Sequence, residues 1–168
     1  MFPMEKYLVI AEEGELQLVE QLGFHLTEDR SRTTEGYTIL FTGVGAFNIL
    51  RSLRDIPLDA ELLNIGYAGS ANFEIGTIVE VTEARLNHPN VTYPEPTCLL
   101  AAKADSPYLK AVCYSGTDFI LQSDYKDCVF DMELAFIAGL GFTHLRSLKH
   151  VSDNLSLHAY HELTHGVE

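Results

Sequence analysis

Basic charge is scarce in this chain. Eleven lysines and arginines stand against 24 aspartates and glutamates in 168 residues, a formal net charge of −13. Nucleic-acid backbones and anionic membranes are gripped by cationic surfaces, so neither is an expected partner, and the acidity is read as a contribution to solubility. Cysteine is sparse too. Cys98, Cys113 and Cys128 lie far apart, form no C-x-x-C pair and are odd in number. That argues against a disulfide framework or a zinc site and for buried free thiols in a reducing compartment. No apolar run is long enough to span a bilayer. The opening MFPMEKYLVIAEEGE lacks the basic-then-apolar layout of a secretory signal. A cytoplasmic enzyme or binding protein is therefore expected. With no internal repeat and no low-complexity linker, residues 1–168 are expected to form one domain, long enough to bury a sizeable core.

The residues present alternate between strand and helix patterns. KYLVIA (Lys6 to Ala11) reads as a buried strand. EEGELQLVEQLG follows with Leu16, Val19 and Leu22 at helical spacing and Gly23 as a stop. YTILFTGVG predicts a strand ending in a glycine turn, and AFNILRSLRD a helix. ELLNIGYAGSANFEIG reads as a strand and a glycine-rich turn, and TIVEVTEAR as a strand rich in β-branched residues. NHPNVTYPEP is a proline-rich loop. TCLLAAKA and KAVCYSG are candidate strands. KDCVFDMELAFIAGLGF reads as a strand feeding a helix, HLRSLKHVSDN as a strand ending in a polar turn, and LHAYHELTH as the opening of a last helix. Such alternation predicts an α/β layer architecture, in which ligands bind near the carboxyl ends of strands.

Those strand ends carry the candidate chemistry: Glu12, Glu13 and Glu15 after the first, GYAGS after the third, YSGTDFI and then DMEL later, and VSDN after the last. Each has a plainer explanation. Acidic residues in a first helical turn complement the helix dipole, Asp131 can cap the helix that follows it, and Ser152-Asp153-Asn154 suits a polar turn. Glu133 fits the plain explanation least, because Met132, Leu134 and Phe136 surround it with apolar groups and an ionised carboxylate is costly to bury unless something binds it. His158, His161 and His165 share one helical face, which is read as solvated, and no metal or other cofactor is expected.

Taken in order, the early acid, G-V-G, N-I-G-Y-A-G-S…I-G-T-I-V, S-G-T-D-F-I, D-M-E and V-S-D resemble the purine nucleoside phosphorylase superfamily. The similarity is to its branch of 5′-methylthioadenosine/S-adenosylhomocysteine nucleosidases and runs from about Tyr7 to Tyr160. It implies a shortened three-layer α/β/α sandwich around a mixed, partly barrel-like sheet, and hydrolysis of the N-glycosidic bond of a purine nucleoside. It further implies that Asp153 protonates the purine N7, that Glu15 activates water and that Glu133 grips the ribose hydroxyls. Met132 then packs under the sugar, Val44 lines the sugar pocket, and Phe119 and Ile120 stack on the base and bind its edge. Ser152 accompanies Asp153, and Tyr67 falls at the nucleophile side of the pocket. A homodimer or larger homo-oligomer is also implied.

Several positions depart from the family pattern. Tyr67 stands where a small hydroxyl residue is usual and can fill the nucleophile pocket or narrow the sugar site. Lys149 stands in place of an arginine. Val91 to Ala111 is short, and Tyr160 stands in for a C-terminal aromatic. AEEGEL after the first strand would repel phosphate, whereas Arg51, Arg54 and Arg85 are possible anion ligands. The alternatives left open are a phosphate-dependent phosphorylase and a catalytically weakened nucleoside-binding protein.

Overall fold

A computed structural model describes residues 4–87 and 97–165. Of the proline-rich loop expected from the sequence, all but Asn87 lies outside the described residues, as does the side chain of His165. Eight strands form one sheet: β1 (Lys6–Ile10), β2 (Thr38–Phe41), β3 (Glu61–Gly69), β4 (Ile78–Leu86), β5 (Cys98–Leu99), β6 (Leu109–Ser115), β7 (Cys128–Asp131) and β8 (His144–Asp153). The helices are α1 (Leu16–Gln21), α2 (Ala46–Leu53), α3 (Leu134–Gly139) and α4 (Leu157–His165), and a 3-10 turn at Glu13–Glu15 precedes α1.

The alternation of side chains along each strand explains the layers. In β1, Val9 joins one apolar cluster while Leu8 and Ile10 join another. In β3, Leu62 and Ala68 go to the first, and Leu63 and Ile65 to the second. Ile49 and Leu53 of α2 and Leu134 and Ile137 of α3 cover the first face, and Leu16, Leu18 and Val19 cover the second. Helices on both sides of a mixed sheet make the three-layer sandwich that the sequence led us to expect. Each fully buried leucine or isoleucine contributes roughly 1.5–3 kcal/mol.

The sheet is open at one end and closed at the other. β1 pairs in parallel with β2 and β3. Beyond them β3 pairs with β8, β8 with β4, β4 with β6, β6 with β7, and β7 returns to β3 through Gly69 and Phe130. Five strands thus form a small ring. One edge of β3 is occupied by β8 along its whole length, from Glu61 to Gly69. Its other edge is held by β1 only as far as Asn64 and by β7 only at Gly69. The edge between them is left to side chains, and the chemistry lies there.

Two expectations need correction. TCLLAAKA yields only the two-residue β5, an edge strand whose Leu99 is exposed. The helix expected from Glu12 begins as a 3-10 turn and becomes α-helical only at Leu16. Cys113 and Cys128 are buried thiols, while Cys98 is half-buried. Among the described residues no helix is long and apolar enough to cross a membrane.

Candidate active site

The carboxyl ends of β1, β3, β7 and β8 and the segment that follows β6 meet around one cleft. Its walls include Glu15, Val44 and Tyr67. Phe119, Ile120, Met132 and Glu133 add to them, and Ser152 and Asp153 complete the set named from the sequence. Segments more than a hundred residues apart in the chain therefore supply one surface.

Two glycines of the NIGYAG stretch make room for the acids. A Cβ at Gly66 would lie 3.0 Å from Glu15 Oε2 and 3.1 Å from Lys149 Nζ. A Cβ at Gly69 would lie 2.9 Å from Asp153 Oδ1. Any larger residue would push these groups off the strand, so the glycines of β3 are there for close approach.

Glu15 is buried, and burial pushes its pKa up to about 8. The ammonium of Lys149 opposes that rise, while Glu133 and Glu12 add to it. Glu133 is pushed up to about 7, first by burial and then by Asp131, against the pull of Lys149 and of the Gly45 N–H. That N–H, at the start of α2, donates to Glu133 Oε2 at 3.0 Å. It is the only hydrogen bond given to the Glu133 carboxylate among the described residues, which leaves the group able to take further donors. Glu133 is thus not the exposed first-turn acid of the plainer explanation.

Asp153 is fully buried at the end of β8, and burial raises its pKa. Ser152 Oγ donates to Oδ2 at 2.7 Å and Leu155 N–H to Oδ1 at 2.8 Å. Opposite it, Phe119 and Tyr160 meet edge to face with ring centres 5.6 Å apart, so α4 does supply an aromatic to the cleft. Tyr67 does not stand free in the nucleophile space. Its hydroxyl accepts from Gln17 Nε2 of α1 at 2.9 Å, and its ring lies edge-on to His150 at 5.4 Å.

Sequence reasoning missed two members of this arrangement. Asp131 does cap α3, accepting from Leu134 N–H at 2.9 Å, but it also pairs with Lys149 Nζ at 2.9 Å. Lys149, noted only as a departure, is a buried ammonium directly behind the carboxylates. Little in the sequence points to it, because β8 reads HLRSLKHVSD and only Leu145, Leu148 and Val151 mark it as a strand that faces a core. Glu12 and Asp118 also line the cleft. Arg51, Arg54 and Arg85 do not: Arg51 is exposed on α2, Arg54 lies 3.7 Å from Asp55, and Arg85 pairs with Glu83 at 2.9 Å. On the histidine face, His158 is exposed and lies 3.0 Å from Glu162.

Sheet, ring and cleft together define the nucleoside phosphorylase-like fold. Comparison with solved structures agrees. A 5′-methylthioadenosine/S-adenosylhomocysteine nucleosidase from Colwellia psychrerythraea 34H, in complex with adenine, superposes with a TM-score of 0.72 at 17% identity, over 99% of this chain and 90% of that one. A nucleosidase of the same kind from Chlamydia trachomatis gives 0.70 at 19% identity, over 97% and 89%. One from S. pneumoniae with a transition-state inhibitor gives 0.70 at 16% identity, over 96% and 92%. No family model and no curated protein matches the sequence.

Proposed function

We propose that the chain is a purine nucleosidase that hydrolyses the N-glycosidic bond of 5′-methylthioadenosine/S-adenosylhomocysteine-type nucleosides. The observation that carries this is the convergence of Glu15, Glu133 and Asp153 on one cleft. A purine departs poorly as an anion, and a proton on N7 makes it a neutral leaving group. A carboxyl whose affinity for protons is raised by burial, as at Asp153, suits that donation. The sugar left behind carries oxocarbenium character. A carboxylate at Glu133 accepts hydrogen bonds from the ribose hydroxyls and stabilises the developing positive charge. Glu15 orients a water molecule and takes its proton as the water attacks the anomeric carbon. Val44 and Met132 offer the sugar an apolar seat, and Phe119 and Ile120 offer one to the base.

Hydrolysis is favoured over phosphorolysis by what surrounds the nucleophile. Glu12, Glu15, Asp118, Asp131, Glu133 and Asp153 line the cleft, and no lysine, arginine or histidine does so among the described residues. A phosphate there would meet anions without the cationic donors it needs. Assembly into a homo-oligomer belongs to the same proposal, since Phe47 and Leu50 turn an apolar face of α2 to solvent.

The test is to incubate the protein with methylthioadenosine, adenosine and inosine, with and without phosphate, and to measure free base. Release without phosphate is the expected result. Release only with phosphate makes the protein a phosphorylase, and binding without release makes it a nucleoside-binding protein.

A further inference from the structure

Among the described residues no cationic side chain lines the cleft, yet one lies immediately behind it. We propose that the buried Lys149–Asp131 pair governs the ionisation of Glu15 and Glu133, with Lys149 as a positioning residue that stands behind the cleft wall and does not itself touch substrate. The inference rests on the carboxylate roles proposed above, but its test needs no turnover.

Lys149 is 1% exposed and is among the largest fully buried side chains. Burying an ammonium costs several kcal/mol unless partners compensate. Asp131 is the first partner, and it is saturated. Its Oδ2 takes Lys149 Nζ and Leu134 N–H, each at 2.9 Å, and its Oδ1 takes the Ser115 hydroxyl and, at 3.3 Å, the Cys113 thiol. So held, Asp131 stays ionised: burial alone would raise its pKa, but Lys149 and these donors bring it below the usual carboxylate range. It cannot act as a mobile acid or base. Lys149 is likewise held charged: burial alone would lower its pKa, but Asp131, Cys113 and Glu133 together raise it.

An ammonium has three N–H donors, and beyond its pair with Asp131 this one acts on Glu15 and Glu133 through its charge. Lys149 Nζ and Glu15 Oε2 crowd the same point above Gly66. Around Lys149 stand Glu15 from the 3-10 turn, Asp131 from β7, Glu133 from the β7–α3 junction and Cys113 from β6. Around Glu15 and Glu133 stand Glu12 and Tyr160, with Tyr67 beside Glu15. Apart from Lys149, every charged group in that set is an acid. Asp131 and the Glu15–Glu133 pair therefore compete for one positive charge, and that competition decides whether Glu15 is ionised, as a water-activating base must be.

Competition predicts shifts of opposite sign. Protein labelled with 13C at the glutamate carboxyls is titrated by NMR from about pH 5 to 10, with Glu15 and Glu133 assigned through Glu15→Gln and Glu133→Gln. In Lys149→Met both midpoints move up, by about tenfold or more in proton affinity. In Asp131→Asn they move down, because Lys149 is left to the two glutamates and a neighbouring anion is gone. Lys149→Arg restores the wild-type midpoints. Because Lys149→Met strands Asp131 and Asp131→Asn strands Lys149, the double variant Lys149→Met with Asp131→Leu, which leaves neither ion unpaired, is decisive: an upward shift at Glu15 supports the proposal, and no shift or a downward one overturns it. Shifts of the same sign in both single variants also overturn it. If the carboxyls titrate as described while no nucleoside is cleaved, the nucleosidase reading falls and the electrostatic one stands.

Discussion

Glu15 is a carboxylate placed where carboxylates are least comfortable, and its stability signature follows from that. Its ordinary pKa of 4.5 rises to about 8 in the folded chain. The folded state therefore binds the proton more tightly than the unfolded one. The stability contributed by this group is full below the ordinary value and is lost as pH rises through about 8. Glu15→Gln removes that loss. We expect the variant to outlast wild type in urea at about pH 9, by roughly 2–4 kcal/mol, with the gap closing toward about pH 5. Base release should collapse in the same variant, a stability gain at the expense of function. Identical pH dependence of unfolding in the two proteins would contradict the burial of an ionisable group at this position. At the other side of the cleft, Asp153→Asn should lower turnover by about 10²–10⁴ while adenine affinity measured by calorimetry stays within a few-fold. Unchanged turnover would remove Asp153 from its role.

β8 is the element on which most depends. It carries Lys149, Ser152 and Asp153, and it pairs with both β3 and β4. A second buried charge ties it down: Arg146 grips Glu80 of β4 with two bonds from Nε, at 3.1 and 2.9 Å, and one from Nη2 at 2.7 Å. Glu80 is 0% exposed. Arg146→Met leaves that carboxylate unpaired and is expected to cost about 3–5 kcal/mol in denaturant unfolding, whereas Arg146→Met with Glu80→Leu should recover most of the loss. β8 also shows what the sequence can and cannot tell. Strands β1 and β3 were legible because a strand buried on both faces reads as continuous hydrophobicity, whereas β8 is buried with only Leu145, Leu148 and Val151 apolar, so its burial did not show in its composition. The nine cleft residues were legible as well, each in a short motif set in a recognisable order. The partners of Lys149 were not. Asp131 lies eighteen positions away, on a strand whose place beside β6 is fixed by pairing rather than by local pattern. Its capping of α3 was a true but partial account, since one carboxylate serves helix and ion pair together. β5 was overread for the converse reason, as β propensity was present but only Glu83 and Ala84 of β4 were there to pair.

At the scale of the whole molecule, the face of α2 is unfinished. Phe47 is 75% exposed, Leu50 lies one turn further along the same side, and Phe41 and Val44 are also exposed just before the helix. Val44 belongs to the cleft as well, so a second copy seated here would reach the site. Sedimentation of wild type is expected to show a dimer or larger assembly, and Phe47→Glu should shift it toward monomer. A monomeric wild type would refute the assembly.

The five-stranded ring bears on how the chain reaches its native state. Glu61 has to find His144, and Gly69 has to find Phe130, before the centre of the sheet is complete. Contacts so distant in sequence slow folding, to the milliseconds-to-seconds range common for such topologies. A nascent chain emerging from the ribosome holds β3 half-paired until β8 has followed. Competence to hold a ligand is thus withheld until the strand that carries Lys149 and Asp153 has been made.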